Sequence, residues 1–187
     1  MERGTLRYYA GIGSRKTPQD IKDLMYQVST QLAKKGYILR SGGSPGADDA
    51  FEYGVIDVGG KMEVYLPWKG FRNKNGEGYI VTPELKNYNT AIFVARKYHP
   101  AFDRLDDRSK KLFIRDTYQV LGKDLKTKSS FVLCWTEDGC LSDTQRTEKT
   151  GGTGQVISIA SYYGIPVFNL KIKTHRERIE KWLNNVS

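Results

Sequence analysis

Leu39-Arg-Ser-Gly-Gly-Ser-Pro-Gly-Ala-Asp-Asp-Ala-Phe-Glu52 decides the fold. A short β-prone run, Tyr37-Ile-Leu39, leads into a loop with three glycines in five positions, Gly42, Gly43 and Gly46, and Ala47–Tyr53 then reads as a helix. Glycines free the backbone for left-handed conformations and for close approach to another group. The helix start adds unpaired N–H groups and the positive end of a dipole, which together suit an anion. A strand, a glycine turn and a helix in succession form the repeating unit of an α/β sheet.

Two further stretches repeat the unit. Leu6–Ala10 reads as a strand, runs into Gly11-Ile-Gly-Ser-Arg15, and is followed by a helix with Thr17 as N-cap and Pro18 at its first position. Ile21, Leu24, Met25, Val28 and Leu32 give that helix one apolar face, and Gly36 closes it. Thr150-Gly-Gly-Thr-Gly-Gln155 enters a helix carrying Val156, Ile157 and Ala160 that ends at Gly164. Met62–Leu66, Phe131–Trp135 and Ile165–Asn169 are further strands. Phe131–Trp135 is apolar enough to be buried on both faces of a parallel sheet. Helical patterns cover Asn89–Arg96 and Arg108–Leu121, and Thr174-His-Arg-Glu177 resembles the capping box of a last helix. The alternation predicts one α/β domain over residues 1–187 built on an open, mainly parallel sheet, with an elaborated basic insertion at about 67–128.

In such a sheet the loops at the carboxyl ends of the strands share one edge, where ligands bind. Gly11, Gly13, Ser14 and Arg15 from the first loop are therefore expected to line one pocket. Ser41, Gly42, Gly43, Gly46, Ala47 and Asp48 from the second, and Gly151, Gly152, Thr153, Gly154 and Gln155 from the third, are expected to join them. Phosphate is expected at Gly42–Ala47 and a sugar near Asp48 or Glu52. These two acids lie one turn apart on one helix face and are the candidate catalytic groups. Acids in a first helical turn also serve simply to complement the dipole. Trp68 and Phe71, set among Lys69, Arg72 and Lys74, either stack on a base or plug a long loop. No Gly-Lys-Ser or Gly-Lys-Thr occurs, which argues against a Walker phosphate loop, and Lys16 stands where a dinucleotide fingerprint needs its third glycine.

The net charge is +9. Eight basic and seven acidic residues fall in residues 1–60, against twenty-two and fourteen in residues 61–187. A surplus of this kind attracts anionic partners, whether nucleic acid or a phosphorylated small molecule, or forms a solvated basic face. Cys134 and Cys140 match no zinc spacing and are read as buried free thiols, and no metal or cofactor is expected. No apolar run is long enough to span a membrane, and the start, Met-Glu-Arg-Gly-Thr-Leu-Arg, lacks a leader's apolar core, so a cytoplasmic protein is expected.

Gly11-Ile-Gly-Ser-Arg-Lys-Thr-Pro18, Arg40-Ser-Gly-Gly-Ser-Pro-Gly-Ala-Asp-Asp-Ala50 and Gly151-Gly-Thr-Gly154, in this order, resemble the Rossmann-like domain of the DNA-processing protein DprA. They also resemble the wider SLOG group, which includes the LOG phosphoribohydrolases. The resemblance implies a Rossmann-like fold with helices on both faces of the sheet. It further implies a pocket for a nucleotide or nucleotide-derived ligand, or a groove for single-stranded DNA, and a homodimer. Ser14, Arg15, Ser41–Asp48 and Gly151–Gln155 would line the site. LOG members cleave the bond between base and ribose phosphate with a glutamate in the pattern Pro-Gly-Gly-x-Gly-Thr-x-x-Glu. Here Thr150 replaces the proline, Gln155 the threonine and Ser158 the glutamate, so such chemistry would need other acids.

Overall fold

In the computed structural model, which describes residues 6–186, six parallel strands form one sheet in the order β4-β3-β2-β1-β5-β6. The elements run β1 (Arg7–Gly11), α1 (Gln19–Lys34), β2 (Tyr37–Ser41), α2 (Ala47–Ile56), β3 (Met62–Leu66), β4 (Tyr79–Val81), α3 (Tyr88–Tyr98), α4 (Asp107–Leu121), β5 (Val132–Cys134), α5 (Thr153–Tyr162), β6 (Val167–Asn169) and α6 (Lys173–Val186). This is the α/β fold expected from the alternation, with helices on both faces. The start of the chain read as lacking a leader falls, for residues 1–5, outside the described residues. Among the described residues no helix is long and apolar enough to cross a membrane.

Strand alternation sends successive side chains to opposite faces. Tyr9, Leu39 and Leu133 pack with Met25, Val28, Phe51 and Val55 under α1, α2 and α6. Ala10, Val132 and Cys134 face the other way, against Val120, Val156, Ile157 and Ile159 of α4 and α5. Burying each large apolar side chain contributes about 1.5–3 kcal/mol. Arg40 lies on that second face at 1% exposure. Its Nε donates to Glu63 Oε2 at 2.8 Å, its Nη1 to the Thr127 carbonyl at 2.6 Å, and its guanidinium covers the Tyr8 ring at 3.8 Å. It thereby ties the segment after α4 to β2 and β3.

Two local expectations are corrected. Pro18, not Thr17, is the N-cap of α1. Thr17 instead donates its hydroxyl to the Ser14 carbonyl at 2.7 Å and so closes the turn after β1. Thr174 is inside α6, which begins at Lys173, and Glu177 pairs with Lys173 at 3.6 Å rather than closing a capping box. The stretch 67–128 supplies the edge strand β4 and the helices α3 and α4, and α4 lies over the middle of the sheet. Cys134 and Cys140 are buried and free.

Candidate functional site

Strand order reverses direction between β1 and β5: the chain builds outward from β1 to β4, then returns to place β5 on the other side of β1. In an open α/β sheet the crevice at this switch point is where ligands sit. A cavity of about 340 Å³ opens there, within the range of small-molecule sites. Its base is Ile12–Lys16 after β1. Ser44 and Asp48 flank it at the start of α2, Thr150–Thr153 and Val156 at the start of α5, and Leu112, Phe113, Arg115, Asp116 and Gln119 of α4 form the remaining wall.

Backbone bonds hold these loops together. Ile12 N donates to the Leu133 carbonyl at 3.1 Å and Ser14 N to that of Trp135 at 3.2 Å, so the loop after β1 continues the pairing with β5 past the strands. Gly46 has φ +91°, and a Cβ there would stand 2.9 Å from the Arg15 Cα and the Ser14 carbonyl oxygen. The first two loops thus pack backbone on backbone, which only glycine permits in this conformation. Gly42 meets α4 instead, where a Cβ would lie 2.3 Å from Gln119 Nε2 and 2.7 Å from the Arg115 guanidinium.

Arg115, 7% exposed, organises the polar side of the cavity. It donates from Nη1 to the Gly42 carbonyl, from Nη2 to Ser44 Oγ at 3.0 Å, and from Nε to Asp116 Oδ1 at 3.3 Å. Asp48 lies at the start of α2 and accepts from the amides of Ser44, at 3.1 Å, and Gly13. Burial pushes its carboxyl up to about 6, against the pull of Arg115 and those amides. Burial also pushes Asp116 up to about 7; Arg115 draws it down and the neighbouring Asp48 raises it further. Two buried carboxyls therefore face one cavity on either side of a guanidinium, and near neutrality they do not both ionise freely.

The sequence-derived site residues divide into two groups. Gly13, Ser14, Arg15, Asp48, Gly151, Gly152 and Thr153 line the cavity. The others stand behind it or apart from it. Gly11 lies under Leu39 and Phe51, and its carbonyl accepts the Ser41 hydroxyl at 2.8 Å. Gly43 offers its carbonyl to Arg72 at 2.8 Å, and Ala47 lies beneath Gly13. Gly154 packs on Arg146, and Gln155 donates to the Ala95 carbonyl at 2.9 Å. Trp68 packs edge-on against Phe71 at 5.1 Å, under Arg108, and so behaves as a loop plug. Glu52, 0% exposed, is held by Lys74 at 2.5 Å and does not line the cavity. In the second loop, where phosphate was expected, the Ser44 amide is taken by the protein's own Asp48 carboxylate. The residues of α4 were missed, although Leu112, Arg115, Asp116 and Gln119 recur at the i, i+3, i+4, i+7 spacing of a single helix face.

No protein-family model matches the chain, and no curated protein sequence matches it. Among solved structures, it is similar to a molybdenum cofactor carrier protein from Chlamydomonas reinhardtii, at 16% identity and a TM-score of 0.40, over 88% of this chain and 89% of that one. It is also similar to the DNA processing protein A from Helicobacter pylori, a single-stranded DNA binder, at 14% identity and a TM-score of 0.37, over 97% of this chain and 82% of that one.

Proposed function

We propose that the chain binds a phosphorylated nucleotide, or a ligand derived from one, in the cavity between β1 and β5. The observation that carries this reading is that one cavity is lined by both donors and apolar side chains. The first turn of α5 presents helix-start amides at Gly152 and Thr153, and Arg15 and Lys16 line the same cavity. Its apolar lining is Ile12, Leu112, Phe113 and Val156. Phosphate belongs at α5, a base against the half-buried Phe113, and sugar hydroxyls near Asp48 and Asp116. Asp48 already fills the start of α2, so the phosphate seat moves from the second glycine loop to the third. The motif resemblance to the SLOG group agrees with this class of ligand.

Isothermal titration against a panel of mononucleotides tests the reading. At least one member is expected to bind, and Phe113→Ala is expected to weaken it about tenfold, the scale of one lost base–aromatic stack. Absence of binding by folded protein across the panel overturns it.

A second reading, hydrolysis of the N-glycosidic bond, is favoured by the two raised carboxyls. A protonated Asp116 donates its proton to the departing base as the C1′–N bond breaks, ionised Asp48 stabilises the oxocarbenium-like centre, and water adds its hydroxyl at C1′ while its second proton returns to the Asp116 carboxylate. Ser158, which replaces the LOG glutamate, is engaged elsewhere: it donates to Asp143 at 2.7 Å and accepts from Arg146 at 3.0 Å. Under this reading free base appears on chromatography of a nucleotide incubated with the protein and vanishes in Asp116→Asn. Release that persists in that variant removes Asp116 from the reaction.

A further inference from the structure

A second cavity, of about 410 Å³, adjoins the first and is lined by Lys97, Tyr98, His99, Pro100, Asp143 and Arg146. Two side chains in contact, one from each lining, stand between them. The His99 ring rests on Phe113 with centroids 4.4 Å apart, and Phe113 lines the first cavity. Arg146 lies against Gly154, whose Cβ would fall 2.5 Å from its Nε, in the α5 turn that borders the first cavity. In the turn before α5, a Cβ on Gly151 would meet nothing within 4 Å, and one on Gly152 only the Phe113 ring, at 3.8 Å.

The second cavity is built for an anion. Arg146 is half-buried, and its Nη1 donates to the Tyr98 carbonyl and to Ser158 Oγ. Lys97 lies over the rings of Tyr98 and Tyr162, at 5.3 and 4.6 Å. Among the described residues neither cation is within ion-pairing distance of a carboxylate. The cavity's one acid, Asp143, accepts from Ser158. Asp143, bridged to Arg146 through Ser158, and Asp116 both act on that guanidinium electrostatically, which leaves the Lys97 ammonium as the cavity's unpaired charge for an anionic ligand to meet. Aromatic surface is at hand as well, since Tyr98 packs with Tyr162 at 4.9 Å and Tyr163 at 6.4 Å.

We infer that the two cavities are the halves of one site for a dinucleotide. The first holds one nucleoside phosphate, and the second holds the other phosphate-bearing unit between Lys97, Arg146 and Tyr98. The inference rests on the reading of the first cavity given above and names its ligand class.

Isothermal titration with each 5′-mononucleotide and the corresponding 5′-phosphorylated dinucleotide tests it. The dinucleotide is expected to bind at least tenfold more tightly than its mononucleotide. Lys97→Glu, an exposed change whose folding is checked by thermal unfolding, is expected to erase that gain and leave mononucleotide affinity unchanged. Equal affinity of the two compounds, or a gain that survives Lys97→Glu, overturns the dinucleotide site while the first cavity keeps its role. Absence of any binding overturns both.

Discussion

Ionising Asp116 at neutral pH places a second negative charge in a buried pocket beside Asp48, and the molecule resists it. Both carboxyls sit above the ordinary aspartate value near 3.9, at about 6 and about 7. The native state therefore binds these protons more tightly than the unfolded chain does. That contribution to stability is complete below about pH 4 and is lost as the pH rises through 6 and 7. Asp116→Asn removes one titration, so its unfolding free energy at pH 8, from denaturant titration, is expected to exceed that of the parent protein by about 1–3 kcal/mol, with no gain at pH 4. Glu52, pushed up to about 7 by burial against the pull of Lys74, titrates in the same window and leaves a residual slope in the variant. The sequence identified Asp48 as chemically important but could not place its carboxylate on the amides of Ser44 and Gly13. That depends on a helix start and a neighbouring loop, separated in the chain, meeting in space.

The strand–glycine turn–helix units were legible because each carries its own local signals: a β-prone run, glycines where side chains do not fit, and an apolar stripe of helical period. Helix α4 was legible as a helix but not as a wall of the site. Its inward stripe holds Arg115, Asp116 and Gln119 beside Leu112, and such a mixture reads as solvated until the sheet beneath it is known. Strand β4 went unseen because three residues, Tyr79–Val81, are too few to show alternation. The loop leading to β4 is pinned to α2 by charge. Arg72 grips Asp49 with two hydrogen bonds, at 2.8 and 2.9 Å, and Lys74 reaches Asp49 at 3.2 Å and Glu52 at 2.5 Å. Arg72 and Asn73 take left-handed backbone angles, φ 51° and 58°, which non-glycine residues adopt at a cost. Asp49→Asn is therefore expected to free the loop: amide hydrogen exchange over residues 70–76 should accelerate, for a loss of about 1 kcal/mol or less in global stability.

Charge belongs to the molecule as a whole, with most of the +9 carried by residues 61–187. A small ligand held in the cavity and a nucleic acid strand on the basic surface answer differently to ionic strength. Raising salt from 50 to 200 mM is expected to weaken a mononucleotide only a few-fold, while any affinity for a single-stranded oligonucleotide falls steeply through counterion release. Parallel titrations of the two separate pocket from surface. The strand order carries a consequence for how the protein is made. From β1 to β4 each strand is laid beside the one before it, and the chain then crosses back over the sheet through residues 82–131 before β5 is placed. During synthesis the floor of the crevice emerges long before α4 and α5 close it, so a nascent chain has nothing with which to grip a ligand. A ligand of the proposed kind would then act on the finished molecule, slowing its unfolding rather than hastening its assembly.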